Sequence, residues 1–111
     1  MNDESEFQVI VLQRIDEATR LTGYSFAGLR KLIAVDAAAA AKRLIAPTSR
    51  NLGSISKGLR VLFDAGLLRL SIEQAVIDFG EQGRLFTTEE VGYAKNRLAL
   101  IQTVFSSRRP G

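Results

Sequence analysis

Five consecutive alanines, Ala37–Ala41, stand between Asp36 and the pair Lys42-Arg43, with Pro47 four residues further on. This stretch narrows the possible folds more than any other part of the chain. Alanine loses no side-chain entropy on entering a helix and is the strongest helix former. Asp36 offers an N-cap carboxylate directly ahead of the run, and Pro47 marks its far end, so the segment predicts a helix ending near Ala46. A flexible linker of this length would be carried by Gly and Ser instead. Ala37, Ala41, Leu44 and Ile45 recur with the i, i+4, i+7, i+8 spacing of a buried face, and side chains this small let a neighbouring helix approach closely.

The remaining segments read as helix too. Ser5 to Leu21 carries Phe7, Val11, Ile15 and Ala18 at helical spacing, and Gly23 follows as a terminator. Ser25 begins a shorter element, "SFAGLRKLIA". Ser54 is expected to cap "ISKGLRVLFDAG", with Ile55, Leu59, Leu62 and Phe63 inward and Gly66 as the left-handed residue after the helix. "SIEQ" at residues 71–74 and "TTEE" at 87–90 match the reciprocal capping box, and predict helices over 72–80 and 88–105. No period-two alternation occurs, so a sheet is not expected.

The expectation is a single all-α domain over residues 1–105, a compact bundle of five or six short helices, with 106–111 as a disordered basic tail. Its length of 111 residues suffices for one modest core. Val9–Leu12 and Leu98–Ile101 are apolar on four successive positions, which covers every side of a helix. The two terminal helices are therefore expected to pair at the centre of the bundle, or to share apolar surface with a second copy.

Composition excludes much chemistry. The sequence has neither histidine nor cysteine, so the commonest general base, nucleophile and transition-metal ligands are missing, along with any disulfide. No phosphate-binding glycine loop of standard spacing occurs. Glu73, Asp78, Glu81, Glu89 and Glu90 gather near the two capping boxes, where acids complement the helix dipole. No enzyme, cofactor or metal site is expected. The acidic opening "MNDESE" is unlike a signal peptide, and the longest apolar stretch, around Leu32 to Ala41, is broken by Asp36. The expectation from these features is a cytoplasmic, soluble protein.

Charge is strongly segregated beneath the net charge of +3. Residues 29–63 hold seven bases (Arg30, Lys31, Lys42, Arg43, Arg50, Lys57, Arg60) against Asp36, while the flanking stretches 1–28 and 64–90 are acidic. A basic central third is the electrostatic footprint of a nucleic-acid binder. Within it, "SISKGLRVLFDAGLL", residues 54–68, resembles the recognition helix and following turn of bacterial winged-helix regulators. The resemblance implies that Ser54, Ser56, Lys57 and Arg60 face the groove while Ile55, Leu59 and Leu62 hold the core. The candidate nucleic-acid residues are then Lys42, Arg43, Arg50, Ser54, Ser56, Lys57 and Arg60. No wing follows, however, because Leu70 leads directly into a capped helix. A second resemblance, through "AAAAAKRLI", "GLRVLFDAGLLRLSIEQAVID" and "LFTTEEVGYAKNRL", is to an uncharacterised bacterial helical domain and spans about residues 25–98. It implies one compact helical unit and no activity. The sequence therefore leads to a non-catalytic interaction module binding a protein partner or a second copy, with DNA or RNA binding through the basic segment as the alternative.

Overall fold

The first helix shows how closely local pattern becomes core. In the computed structural model, which describes residues 2–47 and 56–106, α1 (Asp3–Thr22) is capped by Asn2, whose side chain accepts the Ser5 N–H at 2.7 Å. It ends at left-handed Gly23 (φ 78°), whose N–H bonds the Thr19 carbonyl. Phe7, Val11, Ile15 and Ala18 are all buried, as their spacing predicts. Phe7 meets the rings of Phe79 and Phe86 edge-on, at centroid distances of 5.2 and 5.1 Å.

Four more helices follow: α2 (Ala27–Ile45), α3 (Lys57–Asp64), α4 (Ile72–Glu81) and α5 (Thr88–Ser106), with a 3₁₀ turn at Leu68–Leu70 before α4. No strand occurs among the described residues. The result is the expected all-α bundle. The expected tail, 106–111, lies almost wholly outside the described residues.

The two elements predicted separately, the one from Ser25 and the alanine helix, are the two halves of α2 and meet at a kink. Asp36 adopts an extended conformation (φ −159°, ψ 95°) within α2. It is also the predicted N-cap, its Oδ1 accepting the Ala39 N–H at 3.1 Å. Breaking the helical ladder frees carbonyls on the preceding turn. The Gln8 side-chain amide of α1 donates to two of them, Ile33 O at 2.9 Å and Ala34 O at 3.1 Å. Beyond the kink Ala37, Ala38, Ala40, Ala41 and Ile45 are buried, Leu44 is half-buried and Ala39 faces solvent.

The element expected from Ser25 starts at Ala27, and its N-cap is Phe26, in the left-handed region (φ 52°, ψ 34°) with no side-chain cap bond. Such a conformation costs a non-glycine residue about 1–3 kcal/mol; here it turns the Phe26 ring into the core, where the residue is 4% exposed. The cap of α3 is likewise Ser56, accepting the Leu59 N–H at 3.2 Å, so the helix starts after the predicted Ser54, which lies outside the described residues. At its other end Gly66 (φ 72°) donates to Phe63 O and Leu67 to Leu62 O, the two bonds of a Schellman motif.

The two capping boxes differ. At α5 the box is complete: Glu90 N–H donates to Thr87 Oγ1 at 3.1 Å and Thr87 N–H to Glu90 Oε1 at 2.9 Å. At α4 it is half made. Ser71 Oγ accepts the Gln74 N–H at 3.0 Å, but the Gln74 amide donates to Asp78 instead, beside the Arg14–Asp78 ion pair at 2.8 Å.

The terminal helices do not pair at the centre. α1 pairs chiefly with α2, and α5 with α4. The most enclosed element is α4, where Ile72, Glu73, Ala75, Val76, Ile77 and Phe79 are all buried. The apolar runs follow suit: Val9 is 43% exposed and Ala99 is exposed, so neither run is buried on every side. Arg84 closes the bundle at the start of α1, bonding Glu6 and, at 3.0 Å, Asp3, with its guanidinium 4.5 Å above the Phe79 ring. The Glu6 and then the Asp3 hydrogen bond hold this arginine above its ordinary pKa.

Ala41 is fully buried whereas Ala39 is exposed on the same helix. Ala41→Leu should therefore overpack and lose about 1–3 kcal/mol of stability in urea unfolding, while Ala39→Leu stays close to wild type.

Candidate binding cleft

The buried stripe of α1 and the first half of α2 do not close completely on α3. Between them lies a cavity of about 280 Å³, with Val11, Ile15 and Ala18 of α1 along one side. Gly28, Leu29 and Leu32 of α2 and Lys57 to Leu59 and Leu62 of α3 form the facing walls. The start of α4, from Ser71 to Glu73, and Arg97 of α5 complete it.

Two glycines shape this space in different ways. A Cβ on Gly58 would stand 3.2 and 3.3 Å from atoms of the Phe26 ring, so the bare backbone there admits the aromatic side chain. Phe26 in turn meets Tyr24 edge-on at 4.7 Å. A Cβ on Gly28 would meet nothing within 4 Å, so this position leaves the wall open. Lys57 stands at the rim with its Nζ 5.5 Å from the centre of the Tyr24 ring, a cation–π distance.

Glu73 and Arg97 form the charged part of the lining. Glu73 Oε2 accepts from Arg97 Nε at 2.9 Å, and the two side chains are 4% and 14% exposed. Glu73 stands in the first turn of α4, where an acid also suits the dipole, but its partner is a side chain from another helix. The pair was not anticipated from the sequence. The signal was present: Glu73 lies between Ile72 and Ala75-Val76-Ile77 in a short helix apolar on several faces, so an acid there tends to be buried with it. The other acids of that group are also engaged: Asp78 with Arg14, Glu81 with Lys95 at 3.1 Å, Glu89 with the Tyr93 hydroxyl, and Glu90 in its capping box.

The described basic residues singled out in the sequence lie on α2 and α3, several of them against aromatic rings. Lys42 Nζ stands 5.9 Å from the Phe86 ring, Lys57 against Tyr24, and Arg60 4.5 Å over Phe105 with Asp64 at 3.7 Å. These are three rings on three different parts of the chain. Arg43 is exposed beside Lys42 on α2. Ser56 and Lys57 line the cleft, with the Ser56 hydroxyl engaged as the α3 cap. Arg50 and Ser54 lie outside the described residues. Gly58, between Lys57 and Arg60, is accounted for by the Phe26 ring packed on it.

Comparison with protein-family models, with curated proteins and with solved structures finds no match.

Glu73→Ala removes the buried carboxylate that accepts from the half-buried Arg97 and should cost about 1–3 kcal/mol in urea unfolding. Combining Glu73→Leu with Arg97→Met removes both charges together and should recover most of that loss.

Proposed function

We propose that the chain is a non-catalytic interaction module that binds a protein partner, and that the partner docks on the outward edge of the first half of α2. Val35 carries this reading: it is 87% exposed, with Leu32, one turn earlier, at 41%. Two large apolar side chains three residues apart share one helix face, and the fold leaves both in water immediately before the kink. Apolar anchors on a rigid helix are the kind of group that dominates binding energy at protein interfaces. Lys31 is exposed beside Leu32, so a partner segment with apolar anchors and acidic flanks complements the edge. A second copy is one such partner, since α1 also leaves Val9 at 43% and Leu21 at 48% exposure. A cytoplasmic setting is part of the proposal. No described helix is long and apolar enough to cross a membrane.

DNA or RNA binding is the alternative, supported by the exposure of Lys42, Arg43, Lys57 and Arg60. The readings separate by salt, because phosphate binding weakens steeply as salt rises whereas apolar docking does not.

A photo-crosslinking phenylalanine at position 35 tests the docking edge in cells of the source organism. It should yield an adduct of discrete mass that is absent when the probe replaces Gln102, another exposed residue. Leu32→Glu should weaken that association by about tenfold or more. An adduct of twice the chain mass identifies a second copy. Equal labelling at both positions, together with low-salt retardation of duplex DNA that Lys57→Glu and Arg60→Glu abolish, would replace this reading with the nucleic-acid one.

A further inference from the structure

The cleft has a chemistry of its own, although Leu32 of the docking edge also lines it and only Val35 of that edge stands outside it. Apart from the paired Glu73 and Arg97, its walls are chiefly aliphatic and aromatic, and its 280 Å³ holds roughly nine groups of water or methylene size. An apolar space of this kind offers water few partners and leaves its lining short of dispersion contacts. Its charged groups are not equivalent. Glu73 and Arg97 neutralise each other at 2.9 Å. Lys57 at the rim rests on the face of Tyr24, and no described carboxylate lies within ion-pair distance of it. It is the first residue of α3, whose first turn contains no acid, so the positive end of the helix adds to its field. Among the described residues, the lining thus carries one cation in excess, Lys57.

We propose that the cleft binds a small amphiphilic monocarboxylate, an aliphatic or arylalkyl acid of roughly eight carbons. The tail lies among Val11, Ile15, Leu29 and Leu62, and the carboxylate meets Lys57 at the start of α3. An apolar interior supplies affinity, while a single cation at the mouth selects the sign of the head group. An alkyl amine of the same length brings its charge against Lys57 and is rejected.

Calorimetric titration of the whole chain with octanoate, octan-1-ol and octylamine, each below its micellar range, tests the assignment. Octanoate should bind at one site per chain and at least about tenfold more tightly than octylamine. Gly28→Phe adds a ring where a Cβ meets nothing within 4 Å, and should abolish octanoate binding with the helical circular dichroism unchanged. Lys57→Met, at an exposed position, should weaken octanoate about tenfold and leave octanol unaffected. Val35→Glu lies outside the cleft and should keep octanoate binding intact, so loss of partner docking and loss of ligand are read apart. Absence of octanoate binding to the unmutated chain overturns the proposal, as does octylamine binding equally well. Equal loss of octanoate and octanol in Lys57→Met overturns the carboxylate assignment even if Gly28→Phe does not fold.

Discussion

One extended residue, Asp36, sets the geometry on which the rest of the bundle depends. A straight rod over Ala27–Ile45 would point its two halves along one line. The break at Asp36 gives each half its own direction, and α2 as a whole packs against α1, α4 and α5. Interrupting a helix exposes backbone groups on both sides of the break, and both sides are answered here. Gln8 supplies donors to the carbonyls before the kink, and Asp36 supplies an acceptor for the N–H of Ala39 after it. The alanines beyond the kink then allow close approach, so four of the five are buried.

The centre of the bundle is the ten-residue α4 rather than either terminal helix. This short helix is buried on several sides, and its polar side chains pair with neighbouring groups. Glu73 meets Arg97 from α5, and Asp78 meets Arg14 from α1 and Gln74 from its own helix. Pairs like these add little net stability over well-packed apolar residues, but they penalise any arrangement that separates the partners. They therefore act mainly on which helix lies beside which.

Aromatic rings organise the core in a comparable way. Phe7, Phe79 and Phe86 meet edge-on where α1, α4 and the approach to α5 converge, and Arg84 covers Phe79 from outside. Tyr24 and Phe26 do the same at the turn between α1 and α2, where Phe26 fills the space that Gly58 leaves. Each of these contacts also positions a cation: Lys42 by Phe86, Lys57 by Tyr24, and Arg60 by Phe105 further along.

The helices, most of their ends and the inward face of α1 were determined by the sequence alone. These features rest on interactions within about four residues: the Asp36, Ser71 and Thr87 caps, the left-handed Gly23 and Gly66, and the alanine run. One local expectation failed where a tertiary demand outweighed it: Gln74 left its capping box for Asp78. Only the tertiary structure decided the joining of two helices at a kink, the pairing of α1 with α2 and α5 with α4, and the opening beside α3. The physical reason is separation along the chain. Gln8 reaches Ile33 across 25 residues and Glu73 reaches Arg97 across 24, and no pattern within a single helix encodes which distant group will complete it.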